Sequence, residues 1–473
     1  MDQLIENTLS AGLNPNSLIS LQEQLHERLR NAILSGSLSA GTRLPATRQL
    51  AGHLRVSRNT VLAAYDQLIA EGYLETRPGA GTFVTADLPD SFISAQTHNP
   101  VSQNTSSSSQ SIDNFKNLRS DYGLLSGAPA LDQFPRDLWA RLISRAWRSA
   151  DKSIFQHDDL AGYAPLRTAI AKYLQASRNI VATAEQILIF SGLQQGFKLA
   201  ADCLLAKDAA VILENPGYGG MFQAAETLAQ RVLFTPIDKS GAMVPDTKGR
   251  NMLVISPSRQ FPLSITMPLA RRLELLDWAR ATDSLILEDD YDSEFRYVGR
   301  PLNSLQGIDG GERVIYGGSF SKTVFPALRL GYLVLPTPFV GPVLKHRAAV
   351  DSYPSIVPQI ALSHFMEGGH FARHVRKLRK IHAERQHIFF ASFKKHLGQL
   401  LTLEAPDAGL HMITRPKAAL KHLPDTELAA IGRAANIGVF PLSSSYQPNT
   451  ECLEKQQGLL IGFANLEDNL IDP

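Results

Sequence analysis

The stretch GTRLPATRQLAGHLRVSRNTVLAAYDQLIAEGYLETRPGAGTFV, residues 41–84, decides the fold of the first part of the chain. Apolar residues recur at helical spacing in two segments, which predicts a short helix over 47–54 and a longer helix that ends at Gly72. Ser57 is the expected N-cap of the longer helix, because its hydroxyl can accept a hydrogen bond from the first turn. Residues 73–77 and 82–84 flank a Pro-Gly-Ala-Gly turn and predict a two-stranded wing.

One more helix precedes this stretch, and a local excess of positive charge extends from that helix into the stretch. Leu21, Leu25, Leu29 and Ile33 share one helical face, and Gly36 ends that helix. No lysine and no acidic residue lies between residues 28 and 65, whereas arginine occurs at 28, 30, 43, 48, 55 and 58. We expect this charge on a surface that meets DNA, with Val61, Tyr65, Leu68 and Ile69 on the buried face of the longer helix. A small solvated helical bundle is the alternative.

The rest of the chain has a different composition. Its 473 residues allow two or three domains, and the Ser-, Thr-, Gln- and Asn-rich segment 87–120 predicts a flexible linker between residues 1–86 and 121–473. From residue 121 strands alternate with helices, which indicates an α/β domain. Two cysteines, a net charge of +2, no signal segment and no long apolar run favour a cytoplasmic protein without a membrane span.

Three short apolar runs in the α/β part end in polar or glycine-rich segments. Residues 284–287 lead into Glu288, Asp289, Asp290 and Tyr291, residues 314–316 lead into GGSFSKTVFPALRLGY, and residues 187–190 lead into SGLQQG. Open α/β sheets bind ligands outside the carboxyl ends of their strands, so we expect one site there. A lysine near hydroxyls and an arginine suggests an amine bonded to an aldehyde beside a phosphate, and the SGLQQG turn could hold that phosphate at a helix N-terminus.

These parts meet the chemical needs of pyridoxal phosphate. The aldehyde needs an amine, which Lys322 offers; the pyridine nitrogen needs a carboxylate, which Asp289 offers; the ring oxygen needs a donor, which Tyr291 offers. Each element alone is more often structural than catalytic, and their order along one chain favours the cofactor interpretation. His370 and His374 lie one helical turn apart, but no carboxylate or cysteine completes a metal site, so we predict none.

Residues 41–84 resemble the winged helix-turn-helix domain of the GntR superfamily of bacterial regulators. The resemblance implies binding to double-stranded operator DNA. It also implies that the residues in contact with DNA are Arg43, Arg48, Ser57, Arg58, Asn59, Thr60 and Gly81.

Residues 121–470 resemble fold-type I aminotransferases, and EDDYDSEFRY, SFSKTVFPALRLGY and ENPGYGG resemble the version found in the MocR family of regulators, where it is fused to a GntR-type domain. The resemblance implies a homodimer with Lys322 as the Schiff-base lysine, Asp289 on the pyridine nitrogen, Tyr291 on the ring oxygen and Tyr218 stacked on the ring. It further implies a phosphate site that consists of Gly192, Leu193, Gln194, Ser319, Ser321 and Arg329.

The substrate side departs from these families. Leu460 and Gly220 stand where an arginine would bind a substrate carboxylate, and the family's Pro-Thr-Gly is Pro-Leu-Ser at 262–264. The resulting hypothesis is a regulator that senses pyridoxal phosphate, or an amine or amino-acid ligand, with at most vestigial transaminase activity. The alternatives are an active aminotransferase with an accessory DNA-binding domain, and a DNA-binding protein whose large domain has lost the cofactor and only dimerises.

Overall fold

A computed structural model describes residues 13–14, 17, 19–86, 124, 127–148, 152, 159–299, 303–404, 406–447 and 455–471. The predicted linker over 87–120 lies outside these residues. The described residues divide into two compact units, the first within residues 1–109 and the second within 110–473.

The first unit is a three-helix domain with a two-stranded wing. Its elements are α1 (Leu21–Leu34), α2 (Thr47–Leu54), α3 (Arg58–Ala70), β1 (Leu74–Arg77) and β2 (Gly81–Val84). The strands pair antiparallel, with Leu74 opposite Val84 and Arg77 opposite Gly81. The predicted helix order and wing are therefore confirmed, because local signals such as the N-cap and the turn residues act without help from distant parts of the chain.

The core of the first unit follows the predicted helical faces. Val61, Tyr65 and Leu68 of α3 are buried as expected, together with Ala64. Ile69 is only half-buried and packs at the edge of this core. Ile69 therefore lies on the predicted face of α3, but at its edge, where the core covers it only in part.

The second unit is a larger α/β domain. Its helices are α4 (Arg136–Arg148), α5 (Ala164–Arg178), α6 (Leu193–Leu204), α7 (Gly219–Glu226), α8 (Leu269–Ala281), α9 (Leu305–Asp309), α10 (Thr337–Val350), α11 (Ile356–Glu367), α12 (His370–Leu397), α13 (Asp425–Ala434) and α14 (Asp468–Ile471). Its strands are β3 (Ile187–Phe190), β4 (Ala210–Asn215), β5 (Arg231–Asp238), β6 (Gly241–Ala242), β7 (Met252–Ile255), β8 (Leu285–Asp290), β9 (Val314–Ser319), β10 (Gly331–Val334), β11 (Leu401–Glu404), β12 (His411–Pro416), β13 (Phe440–Pro441) and β14 (Leu459–Gly462).

Two sheets organise this unit. The main sheet has eight strands in the order β3-β10-β9-β8-β7-β4-β5-β6, and the smaller sheet has four antiparallel strands in the order β11-β12-β14-β13. In the main sheet β4, β5, β7, β8 and β9 pair in parallel, while β10 runs antiparallel to both of its neighbours. Within the described residues no helix is long and apolar enough to cross a membrane.

One predicted strand end is wrong. The run at 284–287 was expected to end before the acidic residues, but β8 continues through Asp290. The reason is pairing with β9, which places Glu288 opposite Tyr316, Asp289 opposite Gly317 and Asp290 opposite Gly318. The three acidic residues are therefore the last residues of β8, and their side chains point alternately to the two faces of the sheet.

Candidate cofactor site and DNA-binding surface

The N-terminal end of α3 forms an exposed polar surface. The hydroxyl of Ser57 accepts a hydrogen bond from the Thr60 backbone N–H at 3.0 Å, so Ser57 is the N-cap that the sequence predicts. Ser57, Arg58 and Asn59 are exposed, and Thr60 is half-buried. This geometry leaves the first turn of α3 accessible, as recognition helices require.

The segment before α2 packs against the wing. Leu44 N–H donates to the Thr82 carbonyl at 2.9 Å, and Arg43 forms an isolated bridge with Phe83. Gly81 has φ +114°, and a Cβ there would lie 3.1 Å from Arg43 Nε, so a side chain at Gly81 would crowd the Arg43 guanidinium. Arg48 lies exposed on α2. The predicted DNA-contacting residues thus fall on the segment before α2, on α2, at the start of α3 with its N-cap, and on the wing.

Arg30 does not belong to this basic surface. Its Nε donates to the Tyr73 hydroxyl at 2.9 Å, and its positive charge helps to lower the pKa of Glu71. His26 Nε2 lies 2.7 Å from Glu71 Oε2, at the end of α3 opposite Arg58. The expectation that all six arginines share one surface was wrong for Arg30, because Glu71 and Tyr73, more than 40 residues away, draw it to the other end of α3.

A cradle for an anion lies at the N-terminus of α6 in the second unit. Gly192 is the N-cap residue with φ +125°, and Leu193 and Gln194 open the helix. A Cβ at Gly192 would lie 3.0 Å from Arg329 Nη2, so a larger residue there would crowd that guanidinium. Unpaired N–H groups at a helix N-terminus and an adjacent arginine are suited to a phosphate.

Two hydrogen bonds involve the other residues that the sequence predicts for the phosphate. Gln194 Nε2 donates to the Gly220 carbonyl at 2.6 Å, which ties α6 to the start of α7. At the end of β9 the Ser321 backbone N–H donates to Ser319 Oγ at 3.2 Å. The two hydroxyls that the resemblance predicts for the phosphate thus lie at the end of β9 (Ser319) and just after it (Ser321), and β9 is two strands from β3 in the main sheet.

Lys322 and Asp289 lie close together in the interior. Burial lowers the pKa of Lys322, and the charges of Asp292 and Asp289 partly oppose that change. Burial raises the pKa of Asp289 to about 7, with further increases from Asp290 and Asp292 and a decrease from Lys322. A Cβ at Gly127, which has φ +79°, would lie 2.9 Å from Lys322 Nζ, so the backbone at Gly127 closes one side of the amine.

The pleat of β8 separates three consecutive carboxylates. Glu288 accepts hydrogen bonds from the backbone N–H groups of Leu305 and Gln306, both at 2.9 Å, at the start of α9. Asp290 pairs with Arg178 Nε at 2.8 Å and accepts a 2.6 Å hydrogen bond from the Tyr316 hydroxyl. No described group donates a hydrogen bond to Asp289, which keeps its carboxylate available to a ligand near Lys322.

Two tyrosines and a phenylalanine form the aromatic part of the site. Phe261 contacts Tyr218 edge-on, with ring centroids 5.8 Å apart, and Tyr291 at 6.2 Å. Tyr218 is 49% exposed, so part of its side chain is accessible. Burial and the negative charge of Asp292 raise the pKa of Tyr291, which therefore keeps its proton and can donate it in a hydrogen bond.

The structure adds a buried ion pair that the sequence analysis did not assign. Arg259 Nη1 donates to Asp292 Oδ2 at 2.6 Å and lies 3.4 Å from the Tyr291 hydroxyl. Arg259 Nη2 donates to Ser264 Oγ at 2.8 Å and to the His411 carbonyl at 3.0 Å. The signal for this ion pair in the sequence was the segment SPSRQFPLS, in which Arg259 is the single charged residue. A buried charged residue needs a partner of opposite charge.

The groups described above fit pyridoxal phosphate, because each matches one part of the cofactor. The Gly192 cradle beside Arg329 suits a phosphate, and the unpartnered Asp289 carboxylate suits a protonated ring nitrogen. Lys322, with its lowered pKa, is closer to the neutral amine that an aldehyde needs. Tyr218 offers an accessible aromatic side chain.

Both parts of the chain match known families. Residues 21–84 match the family described as bacterial regulatory proteins, gntR family, and residues 122–445 match aminotransferase class I and II. A probable rhizopine catabolism regulatory protein MocR of Rhizobium meliloti is 35% identical over 96% of this chain and 92% of its own length. This chain belongs to the MocR family. It is a DNA-binding transcriptional regulator, and its aminotransferase class implies pyridoxal phosphate as cofactor.

Other relatives agree with this family. The pyridoxine biosynthesis regulator PdxR of Corynebacterium glutamicum is 32% identical over 86% of this chain and 85% of its own length, and the regulator TauR of Rhodobacter capsulatus is 34% identical over 80% of each. Among solved structures, a Pyrococcus horikoshii kynurenine aminotransferase aligns with TM-score 0.66 and 21% identity over 77% of this chain and 92% of its own. That likeness confirms the α/β fold of the second unit.

Proposed function

We propose that this regulator senses pyridoxal phosphate, or an amine or amino acid that reaches the bound cofactor, and changes its operator binding in response. The observation that carries the proposal is the conjunction at one site of Lys322, the unpartnered Asp289 carboxylate and the Gly192 cradle beside Arg329. A site of this kind binds a cofactor through several distinct groups, so occupancy can favour one arrangement of the protein over another.

Each cofactor residue has a proposed role. Lys322 bonds the aldehyde carbon, Asp289 pairs with the ring nitrogen, Tyr291 donates to the ring oxygen and Tyr218 covers the ring. The phosphate binds the backbone of Gly192 and Leu193 and the side chains that surround it, namely Gln194, Ser319, Ser321 and Arg329. These assignments are supported by the placement of all ten groups at the carboxyl ends of β3, β4, β8 and β9 or in the segments that follow.

Operator contacts are proposed for Arg43, Arg48, Ser57, Arg58, Asn59, Thr60 and Gly81. A winged domain of about 70 residues reads one half-site, so we propose a homodimer that reads two. Residues 1–86 would form the DNA-binding domain and 121–473 the effector domain, joined by a linker over 87–120. A protein that binds chromosomal DNA works in the bacterial cytoplasm, and we place this regulator there.

The test is operator binding, measured on the DNA upstream of its own gene, with and without pyridoxal phosphate, for the native protein and Lys322→Ala. We expect the cofactor to change the affinity or footprint of the native protein alone. Equal binding in all four cases would contradict cofactor sensing. The matched control is Lys345→Ala on α10, which removes a lysine outside the site.

A working aminotransferase is the second candidate, because Lys322, Asp289 and Tyr291 would support transfer of an amino group. Steady-state transamination at ordinary enzyme rates of about 1 per second or more would favour it. Against it stand Leu460 and Gly220, which leave two positions of the substrate side without an arginine. The relatives are named for different processes, rhizopine catabolism and pyridoxine biosynthesis, so their names do not select an effector.

A further inference from the structure

Gln195 connects the candidate phosphate cradle to a distant helix. It is the third residue of α6, after the N-cap Gly192. Its Oε1 accepts a hydrogen bond from the Ser191 backbone N–H at 2.7 Å. Its Nε2 donates to the carboxylate of Asp351, which is the C-cap of α10 and lies 156 residues away along the chain. One side chain therefore links the residue before Gly192 to the end of α10.

The chemistry of the two partners fixes the orientation of the Gln195 amide. A backbone N–H can only donate a hydrogen bond, and a carboxylate can only accept one. The amide therefore satisfies both partners in a single orientation, with its oxygen toward Ser191 and its nitrogen toward Asp351. Because the last torsion of a glutamine side chain is only weakly restricted, the hydrogen bond to Asp351 is what keeps the oxygen directed at Ser191.

A second contact comes from the same turn of α10. The Asp351 backbone N–H donates to the Arg347 carbonyl at 2.8 Å, one turn earlier in the helix. Arg347 is fully buried, and its Cζ lies 4.5 Å from the ring centroid of Phe190. Phe190 is the last residue of β3 and directly precedes Ser191. The last turn of α10 therefore contacts the chain just before Gly192 at Phe190, and reaches Ser191 through Gln195.

The cradle tolerates little movement of the chain at this point. Gly192 has φ +125°, and a Cβ there would lie 3.0 Å from Arg329 Nη2. The first N–H groups of a helix have no partner within it, and they point at an anion only while the backbone keeps its shape. A rotation of the chain at Ser191 would turn the N–H groups of Gly192 and Leu193. The hydrogen bond from Ser191 to Gln195 limits that rotation.

We infer that Gln195 is a positioning residue of the phosphate cradle, and that Asp351 holds Gln195 in place from α10. Both ends of the Gln195 amide are engaged by the protein, so Gln195 acts on the phosphate through the backbone of Ser191 and Gly192 and not by direct contact. This inference rests on the proposed function, since it concerns the phosphate site of the same cofactor. It extends that site to α10.

The test compares two ligands that differ only in the phosphate. Pyridoxal has the aldehyde, ring nitrogen and ring oxygen of pyridoxal phosphate, but a hydroxyl in place of the phosphate ester. Full-length apoprotein is titrated with each ligand, and the visible absorption of the bound ligand is followed. We expect Gln195→Ala to lower the affinity for pyridoxal phosphate about 3- to 10-fold, as the loss of one hydrogen bond predicts, and to leave the affinity for pyridoxal unchanged. Gln399→Ala, which changes an exposed glutamine, is the matched control and should bind both ligands as the native protein does.

Two variants of Asp351 test its part. Asp351→Ala removes the acceptor that orients the Gln195 amide, so the affinity for pyridoxal phosphate should fall while the affinity for pyridoxal stays constant. Asp351→Asn keeps an oxygen that can accept from Gln195, so its affinity should lie closer to the native value. Equal losses in the two variants would contradict the part assigned to Asp351. Asp246→Ala, which changes an exposed aspartate, is the control and should bind as the native protein does.

Two further measurements keep the test decisive. If Gln195→Ala fails to fold, Asp351→Ala carries the comparison of the two ligands, because Asp351 is only half-buried and lies outside the cradle. If pyridoxal gives no measurable change in absorption, inorganic phosphate is used as a competitor of pyridoxal phosphate. Its inhibition constant should then rise about 3- to 10-fold in Gln195→Ala, and an unchanged constant would overturn the positioning role.

The outcomes separate positioning from sensing. Positioning is wrong if Gln195→Ala binds pyridoxal phosphate with native affinity, or if it loses affinity for both ligands equally, as general damage to the pocket would cause. If the affinities are as expected but pyridoxal phosphate leaves the operator affinity of the native protein constant, positioning stands and sensing is wrong. If operator affinity responds to the cofactor while Gln195→Ala binds it with native affinity, sensing stands and positioning is wrong. A native protein whose absorption does not change with pyridoxal phosphate overturns both.

Discussion

Gly192→Ala is the sharpest perturbation of the proposed phosphate cradle. At φ +125° an alanine is strained, and its Cβ would lie 3.0 Å from Nη2 and 3.4 Å from Cζ of Arg329. Residues in such sparsely populated conformations cost about 1–3 kcal/mol. The loop can relieve that strain only by moving away from Arg329, and cofactor binding must then restore the cradle. We therefore expect the affinity for pyridoxal phosphate to fall about 5- to 150-fold, as 1–3 kcal/mol predicts.

The assay is a titration of apoprotein with pyridoxal phosphate, followed by cofactor absorption, beside urea unfolding of the same apoprotein. Gly341→Ala in α10 is the control, because a Cβ there meets nothing within 4 Å and the residue lies inside a helix. The control should bind the cofactor as the native protein does. Native affinity in Gly192→Ala, together with a loss of unfolding free energy of the full 1–3 kcal/mol, would refute the assignment of a phosphate to this cradle, because the strain would then be unconnected to binding.

Three further predictions address the DNA surface, the buried ion pairs and pH. Arg58→Ala should weaken operator binding in a mobility-shift titration while Arg30→Ala, at the other end of α3, should not; equal losses would remove Arg58 from the recognition set. Arg178→Ala should lower the urea unfolding free energy by about 3–5 kcal/mol, because it leaves Asp290 buried without its cation; a loss below 1 kcal/mol would contradict the pairing. Glu214 has a pKa raised to about 8, so the folded apoprotein binds more protons than the unfolded chain and loses stability as pH rises from about 4.5 to 8; Glu214→Gln should flatten that slope in unfolding curves, and an unchanged slope would contradict it.

The sequence was informative where local signals decide the structure. Ser57 marks the start of α3 and Gly72 follows its end, so the helix-turn-helix could be predicted from residues within the same stretch. The candidate anion cradle could also be predicted, because the glycine between an apolar strand and a helix marks a helix N-terminus, where backbone N–H groups are unpaired. Asp289 was chosen for the carboxylate that the pyridine nitrogen needs, and the family resemblance implied the same residue. The pleat of β8 gives the physical reason by turning Glu288 and Asp290 to the opposite face.

Long-range partners were beyond the reach of sequence reasoning. Arg259 and His411 are 152 residues apart, and no spacing rule connects a guanidinium to a carbonyl at that separation. Arg30 was misplaced for the same reason, since Tyr73 lies 43 residues away along the chain. The sequence showed that Leu460 stands where related enzymes have an arginine. It could not show that Leu460 packs against Ile413, because that contact depends on the pairing of β12 with β14.

Phe261 packs between the aromatic residues of the candidate cofactor site and the smaller sheet, which bears on how occupancy could alter the protein. Phe261 follows β7 of the main sheet, whereas Ile413 and Leu460 lie on β12 and β14 of the smaller sheet. A ligand that moves Phe261 would therefore change the packing between the two sheets, and its binding free energy would depend on that packing. A ligand shifts an equilibrium only by its differential affinity for two states, typically 1–3 kcal/mol in allosteric proteins. A ligand that left Phe261 in place would have no such effect, so the packing of Phe261 against the smaller sheet is the contact through which we propose that the protein responds.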